Sequence, residues 1–435
     1  MKRGHRILIG AGCIALLLSS WLIAINSKSN DEKQLELMQQ AADMMNDGIY
    51  ILAVPLLEEA AGYNAAHTLA AEEELKRAYL ALMDKRGFRR NYEHLLEKQM
   101  ARSDAHPDIF AEAANYYLSI SRLPEALAVL NAGIEKTGSD RLVAMYESNR
   151  YAYETGRASY DYIAAMNGST VQVQRNGLWG IARANGSLMI PCLYEKISTF
   201  DVDRAIVVRD GEVFAVDRDN NRIALLGVEA ADIGNFADNR IPLLIDGQWR
   251  RATGGFVIGG AVFQELRTYS GGYAAAKGRG NWGVIDLASN WLVPPEYDEI
   301  IQDELGRCYG QGAVFARRGD LVYLFVGGQQ IGESFEDARP FPPEGYAAVK
   351  RDGKWGFIDT NGNVMIGFMF DDALSFGQHL AAVKLGEYWG YVSVYGQVVI
   401  EPVFLEAKSF SSGYAPVMTQ GGWRFIALLE YKKGV

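Results

Sequence analysis

Histidine and cysteine are scarce in this 435-residue chain, and that scarcity removes most metal and nucleophile chemistry at the outset. The five histidines, His5, His67, His94, His106 and His379, nowhere adopt a His-x-x-x-His spacing that would place two imidazoles on one helix face. Only Cys13, Cys192 and Cys308 are present, too few and too scattered for a disulfide framework or a zinc pattern, so they read as small buried hydrophobes. Basic residues are outnumbered, 43 Lys and Arg against 53 Asp and Glu, for a net charge of −10. Phosphate backbones require a basic face, and none exists beyond the N-terminal tip, so nucleic acid is excluded as a partner. No nucleophile elbow occurs, since Tyr269-Ser-Gly-Gly272 and Ser411-Ser-Gly413 read as turns between units. The glycine-rich Gly278-Arg-Gly280 lacks the lysine and helix of a phosphate loop. The expectation is a protein with no catalytic residue, no cofactor and no metal.

What the chain has instead is a Trp-Gly pair that keeps returning. It stands at Trp179-Gly180, Trp282-Gly283, Trp355-Gly356 and Trp389-Gly390, with Trp249-Arg250 and Trp423-Arg424 as variants. Aligning the flanking turns adds degenerate units at Val213 and Leu321, so the anchors lie 34, 36, 33, 39, 34, 34 and 34 residues apart. A fixed period of this size marks an array or a closed ring of small units. Within each unit a tight turn precedes the anchor, as at Asn176-Gly177, Asp246-Gly247 and Asp352-Gly353, and a second follows it, as at Asn185-Gly186 and Asn361-Gly362. Asn-Gly and Asp-Gly suit two-residue hairpin loops because both central residues need positive φ. Two such turns among runs of β-formers predict a three-stranded antiparallel meander in each of about eight units. One meander cannot bury its own apolar face, so the anchor tryptophans are expected to fill the gaps between units, with the adjacent glycines admitting a neighbouring backbone.

The units resemble the WG repeat family, seen in many bacterial proteins. The match is carried by Lys350-Arg-Asp-Gly-Lys-Trp-Gly-Phe-Ile-Asp359 with Thr360-Asn-Gly362, and by Glu387-Tyr-Trp-Gly-Tyr391 with Ile400-Glu-Pro402. It covers about residues 170–429 and implies a β-rich repeat scaffold with no general enzymatic activity. The incomplete first and last units favour closure into a propeller-like toroid, with an open β-solenoid as the alternative.

Residues 1–30 and 31–165 belong to neither pattern. Lys2, Arg3 and Arg6 precede the uncharged run Ile7 to Ile25, long enough to cross a hydrocarbon core of about 30 Å. The basic flank predicts a single-pass signal anchor with the N-terminus cytoplasmic and the bulk of the chain extracytoplasmic, a cleaved signal peptide being the rival. Residues 31–165 read as helix. Small and large positions recur at Gly48, Ala53, Leu57 and Ala60, at Gly87, Tyr92 and Leu96, and at Ser121, Ala126, Leu130 and Gly133, with Gly156 opening a partial fourth copy. This resembles a degenerate tetratricopeptide solenoid, which implies a protein-binding face.

Two polar patterns receive structural interpretations. The pairs Asp298-Glu299 and Asp371-Asp372 share a repeat position with Glu195 and Glu406, which points to a recurring structural contact and not to acid–base work. Asp217-Arg-Asp219-Asn-Asn221 and Asp359-Thr-Asn361-Gly-Asn363 place oxygens alternately as calcium loops do, but fall on turns where Asp and Asn bond their own backbone. The fold expected is therefore α+β multidomain: an N-terminal transmembrane helix, a tetratricopeptide-like helical domain, and an all-β repeat domain over 166–435. The function expected is a membrane-anchored, extracytoplasmic scaffold for an unidentified protein partner. The alternative is a cell-wall glycan or peptidoglycan binder of the bacterial envelope, using Tyr269, Tyr273, Tyr346 and Tyr414 as sugar platforms.

Overall fold

The computed structural model describes residues 29–225, 229–343 and 345–431. The chain divides between Tyr146 and Glu147 into two compact units. Helices occupy the first: α1 (Asn30–Asn46), α2 (Tyr50–Gly62), α3 (Thr68–Ala81), α4 (Phe88–Ala101), α5 (Pro107–Ser119) and α6 (Leu123–Thr137), followed by α7 (Asp140–Asn149). Ser29 caps α1 in a reciprocal box with Glu32. The three marker positions Gly48, Gly87 and Ser121 all have positive φ, at 75°, 98° and 59°, and each lies in the turn leading into α2, α4 or α6. Behind them Ala53, Leu57, Ala60, Leu96, Ala126 and Leu130 are wholly buried. Gly133 has no room for a side chain, since a Cβ there would lie 2.7 Å from both Leu142 and Phe110.

The transmembrane helix expected over residues 7–25 has to be withdrawn. That segment lies outside the described residues, and among the described residues no helix is long and apolar enough to cross a membrane. The longest of them, α1, has 17 residues and carries Asp31, Glu32 and Lys33 in its first turn, whereas a span needs about 20 mostly apolar residues. The single-pass topology and the extracytoplasmic placement that rested on it are withdrawn with it.

The second unit is an eight-bladed β-propeller, built of seven four-stranded sheets and one of three. Blade 1 comprises strands 162–167, 170–175, 178–183 and 188–194. Each later blade opens with a two-residue inner strand, absent from the expected meander, which pairs with the first long strand. In blade 7, for example, Asp372–Ala373 precedes 380–385, 388–393 and 398–404. The inner strands of blades 2 to 8 begin at Lys196, Asp232, Glu265, Glu299, Asp337, Asp372 and Glu406. Blade 3 keeps three strands, ending at 248–253.

Closure comes from the other end of the unit. The last blade has its own strands 406–407, 414–419 and 422–428, and its fourth is Tyr153–Thr155, paired antiparallel as Tyr153↔Leu428, Glu154↔Ala427 and Thr155↔Ile426. The Gly156 amide extends the ladder to the Phe425 carbonyl at 2.7 Å. Gly156, expected to open a fourth helical copy, thus follows a ring-closing strand. Closed in this way, the last blade draws its outermost strand from the start of the unit.

Candidate functional site

The recurring pair has a clear geometry. Each tryptophan lies on the third strand of its blade and packs on the blade that follows. Trp355 clusters with Ala381, Val383 and Val392 of blade 7, Trp389 with Ala415, Val417 and Ile426 of blade 8, and Trp423 with Ile163, Val173 and Ala182 of blade 1. Trp282, Trp355, Trp389 and Trp423 are buried; Trp179 and Trp249 are half-buried. The neighbouring glycines face a bulge. Trp179 pairs with Tyr194 but Ile181 with Ile190, so the outer strand carries two extra residues opposite Gly180. A Cβ on Gly180, Gly283 or Gly390 would meet the carbonyl of Ile190, Val293 or Ile400 at 2.5 Å, and on Gly356 that of Ile366 at 2.8 Å. In blade 5 the register Arg317↔Val322 puts Val322, and not Leu321, in the tryptophan place. Val322 is wholly buried and Leu321 is exposed.

The paired carboxylates divide their work. The first of each pair accepts the backbone amide of the blade's own hairpin: Glu195 from Asp210, Asp298 from Gly319 and Asp371 from Gly386, each at 2.7 Å. Those on the inner strands join a chain of ion pairs. Arg317 bridges Glu299 and Asp337 at 3.0 and 2.7 Å, and Arg339 bridges Asp337 and Asp372 at 3.6 and 3.3 Å while lying 4.4 Å from the Trp355 ring centroid. Asp217, Asp286 and Asp359 each receive two backbone amides from residues two and four ahead, plus an asparagine side chain. Those bonds hold the Asp217 and Asp286 carboxyls below their usual range, led by the asparagine amides of Asn221 and Asn290.

At the centre of the ring one loop stands apart. Between its inner strand and its next strand blade 5 uses residues 301–312, where blade 7 needs only 374–379. Asp303 shapes the insertion by accepting the amides of Leu305 and Arg307 at 2.9 Å and pairing with Arg307 Nε at 2.7 Å. The Leu305 carbonyl accepts from Asn235 of blade 3 and from Thr268 of blade 4. Glu304 reaches the opposite side, where it accepts from the Tyr162 hydroxyl of blade 1 and, at 2.7 Å, from Lys408 Nζ of blade 8. Contacts from one loop to blades 1, 3, 4 and 8 require it to cross the axis, so the insertion stops the channel. Burial alone would lower the Lys408 pKa, but the Glu304 carboxylate outweighs it and the net shift is upward. Burial and the bond to Glu304 push Tyr162 up to about 12.

Beside this plug lies a cavity of about 920 Å³, lined by residues that include Tyr309, Phe341, Phe376, Phe410, Pro340 and Pro342. Its charged walls are tied together in ion pairs, Asp303 with Arg307, Glu304 and Glu406 with Lys408, and Arg339 with Asp372, with one carboxylate in excess. Among the described residues no group of three His, Cys, Asp or Glu is placed to hold a metal. The cavity can take an apolar side chain. The Cys308 thiol is buried in the adjoining core, which pushes its pKa to about 12 and leaves it inert. Of the four proposed sugar platforms, Tyr269 is fully buried, Tyr273 packs 4.3 Å from Tyr309, Tyr346 packs 5.6 Å from Phe376, and Tyr414 lies against the Trp423 cluster.

Glu304, Lys408 and Tyr162 had not been singled out in the sequence. The signal available was the 39-residue interval, which records the insertion without revealing where its side chains go.

The model of the "WG containing repeat" matches at residues 179–212, 282–302, 334–355, 355–389 and 389–423. The gaps between these segments fall largely on blades 2, 3 and 5, where the Trp-Gly pair is incomplete or lost. No curated protein matches the chain. Among solved structures it is similar to a eukaryotic initiation factor, at 11% identity over 58% of this chain and 79% of that one, with a TM-score of 0.40. It is also similar to the Pan2 WD40 domain of Neurospora crassa, at 11% over 56% and 90%, TM-score 0.32. YCF48 from Cyanidioschyzon merolae aligns at 14% over 63% and 99%, TM-score 0.35.

Proposed function

Residues 179–423 carry WG containing repeats, and from that premise we propose that this protein is a non-catalytic scaffold that binds another protein. The observation that carries the proposal is the stopped channel, whose cavity, with aromatic and proline residues in its walls, ties its charges into ion pairs and leaves apolar surface for a partner's side chains. A rigid ring of repeats suits that task because it presents several loops at fixed spacing without moving itself. The glycan alternative loses its motivation, since the tyrosines that would stack on sugars are engaged in packing. The helical unit supplies a second candidate surface, where Leu35, Leu52 and Leu69 stand more than half exposed.

A photo-crosslinking residue at Gln311, exposed on the cavity wall, compared with one at Arg279 in the hairpin turn of blade 4 and one at Leu52 of the helical unit, each in the intact chain, tests the assignment. A discrete protein adduct from position 311 and none from 279 is expected. Adducts from Leu52 alone would place recognition on the helices and contradict the cavity assignment.

A further inference from the structure

In the seam between blades 3 and 4, arginines stand where the seam between blades 6 and 7 carries aromatics. In the seam of blades 6 and 7, Phe376 sits between Tyr346 at 5.6 Å and Phe357 at 4.9 Å. The strand registers make Arg240, Arg251 and Tyr269 the counterparts of Tyr346, Phe357 and Phe376: Arg240 lies opposite Thr253, four residues after Trp249, and Tyr346 directly precedes the pair Ala347↔Ile358, whose Ile358 is three residues after Trp355. Three aromatic rings have become two guanidiniums around a phenol. Tyr269 is fully buried with Trp249, Phe263 and Leu266, and its hydroxyl lies beside Arg251 without a well-formed hydrogen bond. Arg240 Nε and Arg251 Nη1 are likewise buried without partners.

Of the other half-buried arginines in the ring, Arg307, Arg317 and Arg339 have carboxylates within 4 Å, whereas Arg204 donates to the Gly254 carbonyl. Among the described residues Arg240 and Arg251 make no ion pair, in a chain of net charge −10. Arg240 Nη1 donates to the Asn239 carbonyl, which leaves its charge uncompensated. The carboxylate acting on this corner is Asp286, already engaged by Ala288 and Asn290. Burying unpaired donors costs stability that an apolar trio would avoid, so the arrangement is explained by a ligand that completes it.

We infer that the seam of blades 3 and 4 is an oxyanion-binding site, in which a carboxylate or phosphoryl group accepts from Arg240, Arg251 and the Tyr269 hydroxyl. Two guanidinium forks match planar or tetrahedral oxyanions, and the phenol contributes a third donor. The site is separate from the channel cavity and does not depend on the function proposed for it.

The test is calorimetric titration of the full chain with inorganic phosphate and, separately, with a capped aspartyl dipeptide, against sodium chloride at equal ionic strength. Saturable binding of at least one probe at one site per chain is expected, and which probe binds distinguishes phosphoryl from carboxylate. Arg240→Gln is expected to weaken it at least tenfold. The double variant Arg251→Leu, Tyr269→Phe, which replaces two of the three buried polar groups by apolar ones, is expected to lose binding while melting at or above the wild-type temperature without anion. Absence of saturable binding by either probe, undiminished binding in the variants, or a double variant melting well below wild type would each overturn the inference.

Discussion

Glycine beside the anchor tryptophan answers to a single carbonyl. In blade 7 that carbonyl belongs to Ile400, 2.5 Å from where a Cβ on Gly390 would stand, with Pro402 N at 2.7 Å. Both obstacles are backbone and cannot rotate away. Gly390→Ala is therefore expected to destabilise the fold by about 1–3 kcal/mol, the usual cost of overpacking, while Gly367→Ala, which meets only the tip of Met369 at 3.8 Å, stays near wild type in chemical denaturation. Blade 5 shows the same constraint moved across the ladder: Tyr323 stands in the glycine place, and the bulged strand opposite takes a left-handed glycine, Gly332, at φ 65°. The tryptophan itself is proposed as the hub of the six seams that keep it. Trp355→Ala should cost about 3–5 kcal/mol in the same assay, the range for truncating a large buried aromatic; a loss below 1 kcal/mol would deny it that role. The pair was legible in the sequence because a bulky anchor and its glycine recur at fixed spacing. The place of Val322 was not, because turn alignment there is ambiguous by one residue and only the ladder resolves it.

Short elements govern what the sequence reveals at the next scale. The hairpins announced themselves through Asn-Gly and Asp-Gly, whereas two-residue inner strands such as Asp372–Ala373 are too brief to show a period of two. The ring-closing strand, Tyr153–Thr155, is equally short and follows directly on helical sequence. Its register makes a position-specific prediction. Because the Gly156 amide points to the Phe425 carbonyl, alternation turns the Glu154 amide toward the same strand and the Thr155 amide away. Glu154→Pro should lower the melting temperature clearly, and Thr155→Pro should lower it much less. Equal effects would show the strand is not paired as described. The Asp-centred turns carry a pH signature. Asp286 is held below the ordinary carboxyl range, so its contribution is present above about pH 4 and is lost as pH falls through its depressed value. The stability gap between wild type and Asp286→Ala should therefore be largest near neutrality and shrink in acid; a gap that grows in acid would contradict the assignment.

At the scale of the molecule, eight seams share one packing rule, and the exceptions are where function is proposed. The long interval between Trp282 and the next anchor becomes a plug, and the degenerate blade 3 becomes the polar seam. Period and composition supplied the number of units and the absence of metal-binding spacings. They could not supply the partners of Glu304, because Tyr162 and Lys408 lie 142 and 104 residues away in sequence and meet it only once the ring is closed. Closure is thus the claim on which the channel, the plug and the cavity all depend. Hydrogen exchange of the intact chain, read by mass spectrometry on peptides covering 152–157 and 422–428, measures it directly. If the ring is closed by Tyr153–Thr155, amides in both peptides exchange together and as slowly as the strands of blade 7, through global unfolding. Rapid exchange of 152–157 beside a protected 422–428 would show an open ring and contradict the account.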